Sequence, residues 1–282
     1  MYKIIIGLGI LTLIFVHSCN TNLMTDTSTA PIAAKTPVEF NTHGDLRTDS
    51  YHWMRLTDAQ KEAENPDTQT TQVLQYLKDE NSHLDAGMKH TENFQKELFE
   101  EMKSRIKEDD TSVPYKKNGY YYHTKYKTGM QYPIYIRKKE TLDAAEEILF
   151  NVNDAAEGYD YFQLGGLNIS EDNKLMVFAT DTVSRRQYFL RIKNLETGEI
   201  YKDIIKNTTG GSVWANDNKT IFYTKKNPET LRSEKVFRHV LGTPTSEDVE
   251  VFHEKDDTFG TYVTKSKSND FIIVGSYSTL ST

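Results

Sequence analysis

A short pattern that occurs twice in the chain constrains its fold more than any other feature. Each copy is an Asp-Asn-Lys turn followed by a run rich in β-branched and aromatic residues: residues 172–174 precede the run 175–180, and residues 217–219 precede the run 220–224. Asp and Asn suit such turns because their side chains bond nearby backbone and tolerate a left-handed conformation. Apolar residues at both alternating positions of the runs predict strands that are covered on both faces, as when sheets stack.

Weaker copies of the same pattern lie on either side. Asn118-Gly119 precedes a run of three tyrosines, and Asn269-Asp270 precedes Phe271 and further apolar residues. The turns recur about every 45–55 residues, which is the period of four-stranded propeller blades. The pattern therefore predicts a mainly β fold that contains an incomplete β-propeller. Any all-β domain repeats turns and strands, however, and a flat sandwich remains the alternative.

The composition limits the classes of partner. The chain has 282 residues, of which 27% are charged, and its formal net charge is −7, with basic residues mixed among acidic ones throughout. Phosphate binding needs concentrated Lys and Arg, so we expect no nucleic-acid partner. A single cysteine excludes an internal disulfide and a thiolate metal cluster. No glycine-rich phosphate loop is present, and we predict no cofactor.

The N-terminus has the layout of an exported protein. Lys3 precedes an apolar run at residues 4–16, which is too short for a comfortable membrane span and is typical of a secretory signal. The run ends at Val16-His17-Ser18-Cys19, which resembles the lipobox of bacterial lipoproteins. We expect residues 1–18 to be a lipoprotein signal peptide and Cys19 to be lipidated, which places the protein in the bacterial cell envelope, periplasmic or at the surface. A plain signal peptide with an accidental cysteine is the alternative.

Three further segments follow the signal. Residues 19–45 are poor in large apolar side chains and predict a flexible tether. Residues 46–109 predict a helical segment, with Thr91 capping its second helix, and residues 110–282 predict the partial propeller. The last strand begins what looks like another blade, so the chain is expected to end within a domain. The apolar stripes of the two helices are formed by Val73, Leu77 and Leu84 in the first and by Phe94, Leu98, Met102 and Ile106 in the second.

Candidate catalytic patterns are weak. The stretch nearest to a nucleophile elbow is residues 210–214, but Trp214 stands where the second small residue is needed, so Ser212 is interpreted as a loop serine before a strand. His83 and His90 lack the spacing and partners of a zinc site. The acidic pairs that end at Asp110 and Asp257 are interpreted as turn or cap residues. We therefore predict no catalytic, cofactor-binding or metal-binding residue in this chain.

Seven stretches together resemble the N-terminal half of the prolyl oligopeptidase family of serine peptidases, in particular its oligopeptidase B members. Their order and spacing cover roughly residues 48–274. The stretches are residues 49–55 (DSYHWMR), 98–110 (LFEEMKSRIKEDD), 131–135 (QYPIY), 161–165 (YFQLG), 185–188 (RRQY), 214–219 (WANDNK) and 254–259 (EKDDTF).

The resemblance implies a seven-bladed propeller that sits over an α/β-hydrolase domain and limits entry to short peptides. It implies a Ser–Asp–His triad in that second domain, and cleavage after Arg or Lys. Those catalytic residues belong to the half that this sequence lacks, so the chain is expected to be inactive alone. Its partners would be the missing hydrolase domain, in cis or as a complementing fragment, and short basic peptides as substrates of the complete enzyme.

The resemblance also implies that the helical segment packs on the hydrolase domain, which would leave its apolar stripe without part of its partner here. The alternative function is a non-catalytic cell-surface propeller that binds peptides or proteins. About three blades and a part are too few to close a ring, which needs at least four.

Overall fold

The structure is a computed structural model that describes residues 29–281. The chain forms two compact units, Met1–Ile106 and Lys107–Thr282. The predicted boundary between helical segment and propeller, after residue 109, lies close to this division. The predicted signal peptide and Cys19 lie outside the described residues.

The first unit is a small hairpin followed by helices. The two strands of the hairpin are antiparallel, and the longest helix has 21 residues. Short 3-10 helices precede the first helix and join the second to the third. The elements are β1 (Val38–Thr42), β2 (Asp45–Asp49), a 3-10 helix (His52–Met54), α1 (Asp58–Lys61), α2 (Thr68–Met88), a second 3-10 helix (Lys89–Thr91) and α3 (Glu92–Ser104).

The hairpin corrects the prediction of a flexible tether over residues 19–45, because β1 already begins at Val38. The turn between β1 and β2 is made by His43 and Gly44, both at positive φ, which glycine adopts without strain. The indole nitrogen of Trp53 donates to the backbone oxygen of Ala34 at 2.8 Å. The backbone N–H of Thr36 donates to the oxygen of Ser50 at 2.8 Å. Backbone pairing and one indole thus hold a segment whose composition alone predicts no order.

The two predicted helices are present, but the cap of the second differs from the prediction. Asp67 caps α2, since its carboxylate accepts from the N–H of Thr70 at 2.7 Å. Thr91 has no side-chain capping bond; its hydroxyl donates instead to the oxygen of Met88 at 2.6 Å. The 3-10 turn before α3 keeps the chain helical through Thr91. The free helix end that a cap would satisfy is therefore absent at this position.

The second unit is made of antiparallel strands with one short helix. The elements are β3 (Tyr115–Lys117), β4 (Tyr120–Lys125), β5 (Ile134–Lys139), β6 (Glu146–Asn151), α4 (Val152–Ala156), β7 (Gln163–Ile169), β8 (Leu175–Asp181), β9 (Tyr188–Asn194), β10 (Ile200–Trp214), β11 (Thr220–Lys226), β12 (Ser233–Val240), β13 (Val249–His253), β14 (Gly260–Lys265) and β15 (Ile272–Tyr277).

These strands form three four-stranded blades and part of a fourth. Blade 1 is the sheet β3-β4-β5-β6, and blade 4 begins with the pair β14-β15. Between them lies a seven-stranded sheet from β7 to β13, in which the long strand β10 serves twice. Its first half pairs with β9 as the last strand of blade 2, and its second half pairs with β11 as the first strand of blade 3. The prediction of a mainly β, incomplete propeller is confirmed.

The hydrophobic core lies between the blades, as was predicted from strands that are apolar on both faces. Strand β8, in the middle of blade 2, sends alternate side chains to opposite faces. Val177 and Ala179 enter a cluster shared with blade 3 that includes Trp214. Met176 and Phe178 enter a second cluster, which contains Tyr122 of blade 1. Five of these six side chains are at most 4% exposed, and that of Tyr122 is 6% exposed.

The first strands of blades 2 and 3 approach each other closely. A Cβ atom on Gly166 of β7 would lie 2.4 Å from the backbone oxygen of Gly210 in β10. Gly210 itself has a φ of 88°, and it stands where β10 passes from one blade to the next. Only glycine fits such a backbone contact, so these two positions set the spacing between the blades.

None of the helices within residues 29–281 is both long and apolar enough to cross a membrane.

Candidate functional site: the turn belt and the helix face

The turns between the first and second strands of the four blades share one conformation. Each contains an asparagine at positive φ, with values from 46° to 66°. Asparagine tolerates this left-handed region better than other residues with a Cβ, which explains the repeat in the sequence. We call these four turns the turn belt. Its asparagines are Asn118, Asn173, Asn218 and Asn269.

Hydrogen bonds join each turn of the belt to the next. Most are made by asparagine side chains, which can donate and accept at once. The bonds run from Asn173 Nδ2 to the oxygen of Asn118 at 3.0 Å, from the N–H of Asp172 to Asn218 Oδ1 at 3.1 Å, and from Asn216 Nδ2 to the oxygen of Asn269 at 3.0 Å. The belt therefore ties all four blades together at one end of the unit.

An ion pair crosses the belt. Lys265, the last residue of β14, places its Nζ 2.7 Å from Oε1 of Glu171 in the turn of blade 2. The same Nζ lies 2.6 Å from Oδ1 of Asn216, and Asn118 Nδ2 donates to the other oxygen of Glu171 at 3.0 Å. The two charged side chains are only 13% and 20% exposed. One carboxylate and one ammonium group thus contact all four blades.

The surroundings of Glu171 favour its charged form. Burial on its own would raise the pKa of this carboxyl, but hydrogen bonds from Lys265 and Asn118 act in the opposite direction and prevail. The pKa of Glu171 is therefore lowered, and the ion pair is present at neutral pH.

The stretch around Ser212 does not form a nucleophile elbow. Ser212 lies within β10 and is buried, and its backbone oxygen accepts from Asn168 Nδ2 at 2.9 Å. The interpretation as a loop serine was wrong, because pairing with Tyr223 of β11 carries the strand through this position.

The histidines and acidic pairs occupy ordinary structural positions. His90 Nδ1 lies 2.9 Å from the oxygen of Gly87, one turn earlier. Asp256 accepts from both the N–H and the hydroxyl of Thr258, as a turn residue does. Asp110 pairs with Lys107 at 3.2 Å. Over the range 29–281, no three His, Cys, Asp or Glu side chains converge as metal ligands would.

The apolar stripe of α3 is uncovered. No residue of this 13-residue helix is buried. Four side chains of the stripe and its neighbour Phe99 are 40% to 67% exposed: Phe94, Leu98, Phe99, Met102 and Ile106. Isolated helices of this length are marginal in water and depend on packing of their apolar side. We call these five residues the helix face. Exposed apolar patches of this kind occur at surfaces that bind other proteins.

Blade 3 contains a buried polar network that no sequence pattern indicates. His239 is fully buried, with Nδ1 2.7 Å from Asp248 and Nε2 3.3 Å from Asp203 of blade 2. Tyr223 donates to Asp248 at 2.8 Å, and burial, with this hydrogen bond, raises the pKa of the tyrosine. The network ties blade 3 to the last strand of blade 2. No motif or periodicity relates its members.

Comparison with known proteins gives consistent matches. The sequence profile described as "Prolyl oligopeptidase, N-terminal beta-propeller domain" matches residues 31–282. Dipeptidyl aminopeptidase BI from Pseudoxanthomonas mexicana is 38% identical over 277 residues, which are 93% of this chain and 37% of the relative. Protease 2 from Moraxella lacunata is 31% identical over 255 residues, covering 88% and 35%.

Among solved structures, oligopeptidase B from Leishmania major superposes with a TM-score of 0.76 at 30% identity, over 88% of this chain and 36% of that one. The chain thus spans little more than a third of the length of these relatives.

We predict that Glu171→Gln destabilises the second unit, because it leaves the mostly buried ammonium group of Lys265 without its charge partner. The loss expected at pH 7 is about 1–3 kcal/mol, below the full cost of breaking a completely buried pair. The matched control is Glu196→Gln, which removes a surface pair with Lys174 at 3.6 Å and should cost less than about 0.5 kcal/mol. Urea unfolding at pH 7 measures both.

The effect of Glu171→Gln should also depend on pH. The folded-state pKa of Glu171 is lowered, so its contribution is complete above the unfolded pKa, near 4.5, and is lost as the pH falls through the folded value. The difference from the unsubstituted chain should therefore shrink below about pH 4.5. Equal losses for the two variants at pH 7 would contradict the role of the pair.

Proposed function

Because the chain belongs to the prolyl oligopeptidase family of peptidases, we propose that it is the substrate-gating portion of a two-domain serine peptidase and is inactive alone. The match of residues 31–282 to the N-terminal propeller domain of that family carries the proposal. The catalytic domain would be supplied in cis or as a complementing fragment. The blades and their turn belt would admit short peptides and exclude folded proteins.

The helix face supports the docking part of this proposal. Helix α3 has no buried residue, yet it exposes four large apolar side chains, and Ile106 adds a fifth just after its end. Such a helix needs a protein partner to hold it. We assign the catalytic domain as that partner. A non-catalytic propeller that binds peptides at the cell surface gives no reason for such a helix.

For substrates, we propose cleavage after Arg or Lys in short peptides. The support is the likeness to oligopeptidase B, seen both in the seven sequence stretches and in the superposition with the Leishmania major enzyme. A second candidate is the removal of dipeptides from a free N-terminus. It is favoured by the higher identity, 38%, to a relative named dipeptidyl aminopeptidase.

The two candidate activities predict opposite responses to a blocked N-terminus. The chain, joined to its catalytic domain, would be assayed on Gly-Arg and N-acetyl-Gly-Arg p-nitroanilides, with Gly-Leu p-nitroanilide as the control for basic specificity. An endopeptidase of the oligopeptidase B type should cleave both arginine substrates, whereas a dipeptidyl aminopeptidase should lose at least about a hundredfold in kcat/KM on acetylation, because it binds the free amine. Cleavage of the leucine substrate at an equal rate would refute specificity for basic residues.

The docking proposal is tested at the helix face. Leu98→Ser with Met102→Ser should weaken binding of the separately expressed catalytic domain by at least about a hundredfold, since burial of each side chain contributes about 1.5–3 kcal/mol. The matched control is Lys96→Ser with Glu100→Ser, which has the same spacing on the opposite side of α3 and should leave the Kd unchanged. Calorimetric titration measures the affinity. Equal Kd values for the two double variants would remove the helix face as the docking surface.

For localisation, we propose a lipoprotein anchored in the bacterial cell envelope through Cys19. The support is the apolar run at residues 4–16 and the lipobox-like sequence that ends at this only cysteine. Intact mass measurement of the mature protein, expressed in a bacterium with lipoprotein-processing enzymes, should give a chain that starts at Cys19 with acyl chains attached. Cys19→Ser should release the protein from the membrane. An unmodified Cys19 in the mature protein would contradict the proposal.

A further inference from the structure

A cavity of about 280 Å³ lies between blades 1 and 2. Its deepest side chains are Phe162 and Phe178, which are 6% and 4% exposed. Tyr159, Val183 and Ile200 are more than half exposed and mark the opening to solvent. Phe150 and Phe178 lie with ring centroids 4.9 Å apart. The cavity is therefore an apolar, largely aromatic depression with access from outside.

Arg191 is the charged residue among those that line this cavity. Arg191 of β9 lies opposite Phe178 of β8 and is half-buried. Among the residues from 29 to 281, no carboxylate forms an ion pair with its guanidinium group, in contrast to Arg137 and Arg232, which pair with Glu147 and Glu234. A guanidinium group in a partly desolvated aromatic setting is a strong receptor for a carboxylate, which it can bind through two parallel hydrogen bonds.

The wall beside Arg191 is held in a fixed shape. Residues 181–187 connect β8 to β9 and supply three of the lining side chains. Asp181 is 1% exposed, and its carboxylate accepts from the N–H groups of Val183 and Arg186 at 2.9 and 2.7 Å. Lys226 of blade 3 donates to the oxygen of Arg186 at 2.6 Å. The cavity is thus preformed rather than a gap under a loose loop.

We propose that this cavity binds a small carboxylate with an apolar group, with Arg191 holding the carboxylate and the phenylalanine rings holding the apolar part. The volume lies at the lower limit of ligand sites, roughly 300–1,000 Å³, so the occupant is about the size of one amino acid. The same chemistry occurs in the C-terminal residue of a peptide and in a medium-chain fatty acid. The two sources are distinguished by experiment.

The test is a calorimetric titration of the full chain with three probes. N-acetyl-L-phenylalanine carries the carboxylate, its primary amide has the same shape without the charge, and decanoate carries an aliphatic tail. N-acetyl-L-phenylalanine should bind at least about tenfold more tightly than its amide, because a hydrogen bond to a charged group contributes more than a neutral one. Tighter binding of decanoate than of N-acetyl-L-phenylalanine would support the site and identify a fatty acid as its source.

Two variants locate the binding. Arg191→Met should abolish the preference for the carboxylate and leave the affinity for the amide unchanged, while Arg238→Met, at an exposed arginine of β12, should change neither. Ala155→Leu fills the cavity and should weaken binding of all three probes about tenfold. Thermal unfolding checks that each variant is folded. The proposal is overturned by equal binding of the acid and its amide, by an unchanged preference in Arg191→Met, or by no binding of any probe at millimolar concentration.

Discussion

A four-stranded sheet that is apolar on both faces has to be covered twice, and this requirement organises the whole second unit. In β8, Val177 faces one cluster and Met176 the other, so blade 2 is stable only between two neighbours. Burial of an aliphatic side chain contributes about 1.5–3 kcal/mol, and nearly every residue of β8 is buried. The blades therefore stabilise one another through shared cores, while the turn belt fixes their spacing at one end.

The parts of the fold that depend on local chemistry were predictable from the sequence. Each Asn-containing turn and the doubly apolar strand after it are determined by about ten consecutive residues. The structure has these turns and strands at the predicted positions. The apolar stripe of α3 was visible at helical spacing, and so was its lack of a partner, once the family resemblance was considered. The hairpin at residues 38–49 was missed, because its order comes from backbone pairing rather than from composition.

Contacts between residues far apart in the chain could not be predicted from the sequence. Glu171 and Lys265 are 94 positions apart, and neither lies in a pattern that singles it out. The same holds for His239, whose two carboxylate partners come from different blades. The double use of β10 was also hidden: its middle resembles a loop, since Gly210 and Gly211 are poor strand formers. Pairing on both sides carries the strand through them.

The continuity of β10 makes the mechanics of the second unit uneven. Blades 2 and 3 have a common backbone, so one cannot slide past the other without breaking two ladders of hydrogen bonds. The chain passes from blade 1 to blade 2 through residues 152–162, and from blade 3 to blade 4 through residues 254–259. Shear between blades 2 and 3 would thus break backbone pairing, whereas shear at blade 1 or blade 4 would break side-chain packing and the turn belt.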